Sequence, residues 1–205
     1  MTEPRQLHVY FDYGSPYSYL AWHRITQAYP ERYQDVEVLW KPVSAAHLFR
    51  QDGSQPNALA PNLWSYTKED VLRWAKAYGL DLVIPASSPT RSIEASRLHF
   101  LADQGGPALE QAWMEAVWKA HWHDDQDLGN AELMARLAES VGIEDAPTRC
   151  NHESVKRLLV ANTVEAYEAG APGVPFFVLD GEGYWGNDRM KWVEEAAAGN
   201  APSAF

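Results

Sequence analysis

The stretch Gly14-Ser15-Pro16-Tyr17-Ser18-Tyr19-Leu20-Ala21 constrains the fold more than any other part of the chain, because it joins a strand pattern to a helix pattern with almost nothing between them. Before it, Leu7, Val9 and Phe11 alternate with His8, Tyr10 and Asp12, the period of two that marks a strand. After it, Tyr17, Leu20, Ala21, Ile25 and Ala28 recur at helical spacing, and Pro16 stands where a first helical turn tolerates a missing N–H. Ser15 is thereby a helix N-cap at the carboxyl end of a strand. Ligands of open α/β sheets bind at that end, where free N–H groups and the positive end of the helix dipole face outward together. Alone, an N-cap serine before a proline only satisfies the helix end. A site requires a second, distant element.

The next apolar run, Val36 to Val43, is β-branched at its start and closed by Pro42, so strand, helix and strand follow at the spacing of a right-handed parallel βαβ unit. Gln51 to Asn57 is polar, rich in turn formers and reads as an exposed loop. From Leu59 to about Gly170 the pattern is helical. Thr67 with Asp70 suggests a capping box for a helix carrying Val71, Leu72, Trp74, Ala75 and Tyr78 and stopping at Gly79. Further helices are predicted over 92–102, after Gly106-Pro107, over 130–141 and over 153–169. The sheet resumes at Gly173 to Gly181, where Asp180-Gly181 turns a hairpin toward Tyr184-Trp185. Gly186 to Met190 opens a last helix, with Asn187 or Asp188 suited to cap it. The expectation is one α/β domain over 1–205, with a helical insertion of about 46–150 between sheet-bearing parts 5–45 and 151–200.

Composition narrows the chemistry. A balance of 17 basic against 28 acidic residues, net −11, argues against nucleic acid or an anionic membrane as partner. No window has the length of an apolar span, and the first residues run into the first strand without an apolar signal region, so a cytoplasmic placement is expected. The single cysteine, Cys150, excludes an internal disulfide or a Cys-x-x-Cys couple within the chain. Nine Trp and ten Tyr imply an aromatic core and flat cleft walls. His121 and His123 diverge on a helix and lack a third ligand, so no metal is expected in the tract ending at Asp127. Serine-hydrolase chemistry is thin as well, since Ser15 lacks the Gly-x-Ser-x-Gly setting and has no identified His partner, His8 and His47 staying open. Arg91 and Arg97 read as surface or structural residues before they read as ligands for a carboxylate.

Three separated pieces, Phe11 to Ala21, Gly173 to Val178 and Trp185 to Met190, together resemble the 2-hydroxychromene-2-carboxylate isomerases and the kappa-class glutathione transferases. These are thioredoxin-like proteins with a large inserted helical subdomain, related to DsbA-like oxidoreductases. Ser-Pro-Tyr-Ser stands where such oxidoreductases carry Cys-x-x-Cys. The resemblance implies that glutathione is the cofactor and that Ser15 hydrogen-bonds its sulfur and favours the thiolate. It implies a cis peptide before Pro175, with Val174 offering its backbone to the tripeptide, and Asn187 and Asp188 gripping the γ-glutamyl end. Ser54 stands where the family loop carries Asn, and Leu63, or Lys68 in a shifted alignment, where a glutathione-binding Lys is expected. The implied reaction is cis–trans isomerisation of 2-hydroxychromene-2-carboxylate or a similar aromatic-degradation intermediate by thiolate addition and elimination. Tyr13, Tyr17, Trp64 and Trp185 are candidate walls for that small aromatic substrate, and a homodimer is implied by analogy. The rival readings are a kappa-like transferase or peroxidase on the same site, and a non-catalytic binder of a thiol or small aromatic acid.

Overall fold

The computed structural model describes residues 4–51, 53 and 59–201. Strand β1 (Arg5–Phe11) runs parallel to β2 (Val36–Pro42) in the register Arg5 to Val36 through Phe11 to Pro42. Helix α1 (Pro16–His23) links them and continues as a π turn over Arg24–Ala28 and a 3-10 turn over Pro30–Tyr33. Leu7, Val9 and Phe11 are fully buried, and so nearly is Tyr10 on the opposite face, because β1 is an inner strand covered on both sides.

The helical part comprises α2 (Ala45–Gln51), α3 (Pro61–Ala77), α4 (Ile93–Gln104), α5 (Pro107–Trp122), α6 (Ala131–Val141), the short α7 (Ala146–Arg149) and α8 (Glu153–Glu168). The chain then returns as β3 (Phe176–Leu179), antiparallel to both β1 and β4 (Glu182–Trp185). Sheet order is β2-β1-β3-β4. Asp180 and Gly181 both hold positive φ, 53° and 82°, as a two-residue hairpin turn matching strand twist demands. A 3-10 turn over Asn187–Arg189 leads into α9 (Met190–Ala197), whose Met190, Val193 and Ala197 pack on Leu7, Val9 and Phe177. This is the α/β, thioredoxin-like arrangement with a helical insertion.

Most of the aromatic weight sits under the insertion. Trp113, Trp118 and Trp122 on α5 are fully buried with Phe11 and Tyr13, and Tyr19 nearly so, the Tyr13 and Trp118 rings 4.6 Å apart between centroids. Tyr13 is therefore core and not a cleft wall, its hydroxyl 3.0 Å from His99 Nδ1. The third helix begins at Pro61, six residues before the expected capping box. Thr67 lies buried in mid-helix, and Asp70 accepts a hydrogen bond from Tyr17 instead of serving the helix end. Helices α2 and α7 were not anticipated from the pattern. The expected loop over 51–57 falls mostly outside the described residues, Ser54 included; Gln51 ends α2 and Gly53 is exposed at a φ of 69°. Among the described residues no helix is long and apolar enough to cross a membrane.

Candidate functional site

Ser15 caps α1 in extended geometry, φ −94° and ψ 117°, and its Oγ accepts the Ser18 N–H at 3.2 Å. The first turn is thereby satisfied on one side, and the hydroxyl keeps its own proton to donate into the cleft in front of it. Ser18 is fully buried, and its Oγ accepts the Asp12 N–H at 3.4 Å. Both sulfur positions of a Cys-x-x-Cys couple are thus oxygens.

Asp12, which the sequence reading passed over, fixes this corner. Its Oδ1 accepts Gly14 N–H at 2.9 Å and Ser92 Oγ at 2.5 Å, while Oδ2 accepts Ala45 N–H at 2.9 Å. One buried carboxylate therefore ties the strand-to-helix turn to the starts of α2 and α4. The signal was present in the sequence: an acid closing an apolar strand, immediately before Tyr-Gly-Ser.

Facing Ser15 across an open cleft of about 1420 Å³ are the two late elements. The Val174-Pro175 peptide is cis, Val174 lines the cleft, and among the described residues its backbone has no main-chain partner. Pro175 is buried, with its carbonyl accepting Gly186 N–H at 2.9 Å. Asn187 and Asp188 also line the cleft. Neither caps α9 with its side chain, contrary to the sequence expectation, because the 3-10 turn intervenes and Arg189 takes the cap position. Asn187 is instead 3% exposed, with Oδ1 accepting the Tyr78 hydroxyl at 3.2 Å and Nδ2 having no partner among the described residues. Asp188 is exposed and pairs with Arg189 Nη1 at 3.0 Å, and that guanidinium lies 5.0 Å from the Trp192 ring centroid.

The walls are aromatic. Tyr17 lines the cleft with its hydroxyl donating to Asp70 Oδ2 at 2.8 Å; burial, then that carboxylate, push its pKa well up, so it stays a phenol. Trp64 is half-buried on α3 and Trp185 is 51% exposed. Gly173 lets Trp185 lie close: a Cβ there would sit 3.1 Å from Trp185 Nε1 and 3.3 Å from the Phe49 ring. Leu63 is 52% exposed, and Lys68 Nζ is 5.9 Å from the Trp64 ring centroid.

The remaining candidates divide. His47 reaches the cleft with Nδ1 2.8 Å from Ser44 Oγ, and Arg91 reaches it with Glu94 3.9 Å away. His8 sits on the sheet 3.7 Å from Glu165, and Arg97 faces Asn151 at 3.5 Å. His121 is buried with Nδ1 2.8 Å from the Gln126 carbonyl, and burial lowers its pKa, whereas His123 pairs with Asp124 at the surface. The cleft thus combines a hydroxyl donor at a helix N-terminus, a main-chain edge at Val174, an amide Nδ2 without a partner among the described residues and flat apolar walls. Such a set is able to hold an extended ligand and to stabilise negative charge at the helix mouth.

The family model for the DSBA-like thioredoxin domain matches residues 6–198. The chain is similar to the 2-hydroxychromene-2-carboxylate isomerase of Pseudomonas sp. (strain C18), 28% identical over 197 residues, which cover 93% of this chain and 89% of that one. It is similar to glutathione S-transferase kappa 1 of Rattus norvegicus, 24% identical over 205 residues, covering 92% and 88%. Among solved structures, a 2-hydroxychromene-2-carboxylate isomerase matches with a TM-score of 0.83 at 26% identity over 93% of each chain.

Proposed function

From the premise that this chain belongs to the DSBA-like thioredoxin domain family, we propose that it is a glutathione-dependent cis–trans isomerase acting on 2-hydroxychromene-2-carboxylate or a similar aromatic-degradation intermediate. The observation that carries this reading is Ser15, a hydroxyl at the helix N-terminus where the redox members of such a fold place sulfur, opening on a cleft shared with Val174, Asn187 and Asp188. The relatives named isomerase, which match nearly the whole chain, support it.

Ser15 donates to the sulfur and, with the dipole of α1, lowers the thiol pKa so that the anion is present near neutral pH. Val174 offers its N–H and C=O as an added strand edge. Asp188 takes the ammonium of the γ-glutamyl end, and N–H groups of the turn after Gly186 take its carboxylate. Ser54 belongs to the same binding set. The unpartnered Nδ2 of Asn187 and the open backbone of Val174 fit a peptide with acceptors and donors along its length. Glutathione, when bound, supplies the nucleophilic sulfur for addition to the conjugated substrate and its later elimination. Tyr17, Trp64 and Trp185 hold the planar substrate over that position, which turns the reaction into one between pre-oriented partners.

The test is titration of glutathione while ultraviolet thiolate absorbance is followed near neutral pH. Saturable binding with a thiolate signal is the expected result, and saturable binding without one removes Ser15 from the proposed role. A kappa-like transferase or peroxidase on the same site is the second reading, favoured by the rat relative matching 92% of the chain. Product analysis with an isomerisable chromene against a halodinitrobenzene separates the two.

A further inference from the structure

Behind the cleft lies a chain of polar groups that begins at a buried carboxylate. Glu194 on α9 is 3% exposed and accepts from both Arg24 and Arg32. Arg24, held there, lies against Tyr78, its guanidinium carbon 5.2 Å from the ring centroid. A guanidinium can only donate, so it offers the proton of the Tyr78 hydroxyl no acceptor. Burial raises the phenol pKa despite the neighbouring cation, which keeps that proton in place at physiological pH. It goes to Asn187 Oδ1, 3.2 Å away.

Resting on the glutathione reading above, we infer that Tyr78 is a positioning residue: its hydroxyl fixes the carbonyl end of the Asn187 amide, so that Nδ2 is held as a donor for an acceptor oxygen of the bound tripeptide. Glu194 accepts from Arg24, the Arg24 guanidinium packs over the Tyr78 ring, the Tyr78 hydroxyl donates to Asn187 Oδ1, and the series stops at an N–H group with no protein partner among the described residues. A buried amide donor left unmade costs more than a made one returns, so the completed state is the one with a ligand oxygen present. With Oδ1 engaged by the Tyr78 hydroxyl, Nδ2 is the end of the amide left to donate. Tyr78 itself does not line the cleft.

A double-mutant cycle tests this on the full chain, with calorimetric titration of glutathione into wild type, Tyr78→Phe, Asn187→Ala and the double variant. Tyr78→Phe keeps the ring against Arg24 and is expected to weaken glutathione binding about threefold to tenfold, the worth of one ordered hydrogen bond. In the Asn187→Ala background the same change is expected to do nothing further, because its effect passes through the amide. Asn187→Ser supplies that corner of the cycle should the alanine variant fail to fold. In turnover, Tyr78→Phe should raise the KM for glutathione while kcat holds. Equal losses in both backgrounds, or a Tyr78→Phe variant that binds as wild type does, overturn the inference alone. Wild-type protein that binds no glutathione overturns both the inference and the reading beneath it.

Discussion

Two neighbouring residues divide the labour at the cleft. Ser15 faces the cleft while Asp12, three positions earlier, holds the turn in shape by accepting three hydrogen bonds, from Gly14 N–H, Ser92 Oγ and Ala45 N–H. Ser15→Ala removes a donor aimed at developing sulfur charge, and the expected loss in turnover is roughly a hundredfold. Thiolate absorbance on the bound ligand checks the cause, since its midpoint should move to higher pH. The same variant loses the cap on Ser18 N–H, costing about 1 kcal/mol of stability, which a denaturant melt measures separately. Ser15 was legible as a cap because capping is local chemistry, written between Ser15 and Ser18. The places of Tyr13 and Asn187 were not legible, for the opposite reason. Their surroundings come from α4, α5 and α3, far away in sequence, which turn an apparent wall into core and an apparent cap into a buried amide.

Elements whose ends are set by their own residues follow the pattern closely. Asn130 accepts Glu132 N–H at 2.9 Å and Leu133 N–H at 3.2 Å, and Gly142 closes the same helix at a φ of 90°. Asn130→Ala should cost about 1 kcal/mol in a denaturant midpoint while glutathione affinity is unchanged, as α6 contributes nothing to the cleft. The hairpin at Asp180-Gly181 was equally clear. Helix α3 shows the limit: its first six residues, Pro61 to Tyr66, carry exposed Leu63 and Tyr66 rather than an apolar inward stripe, so the visible amphipathic part begins a turn and a half late. Helix α2, seven residues long, is too short to display a period, and α7 is shorter still.

Across the whole molecule, burial sets how stability responds to acid. His8, His23 and His121 all have their pKa lowered, in each case chiefly because burial disfavours the charged ring. The unfolded chain therefore binds more protons as pH falls through the ordinary histidine value of about 6.5, and stability is expected to decline between about pH 7 and pH 5. Asp127 and Asp180, lowered by hydrogen bonds from Thr90 and from Arg5, add their loss only below about pH 4. Urea unfolding across this range checks the shape, and His121→Gln should flatten its upper part. The paired oxygens at Ser15 and Ser18 carry one more implication. Peroxide and alkylating agents find no thiol at the helix mouth, and the lone thiol, Cys150, is 4% exposed with its ionisation held back by burial. Iodoacetamide treatment is expected to leave glutathione affinity intact, as calorimetry before and after would register. On the proposed function the reactive sulfur would come and go with its carrier, so oxidative damage to it would be cleared by exchange with the surrounding pool instead of accumulating on the protein.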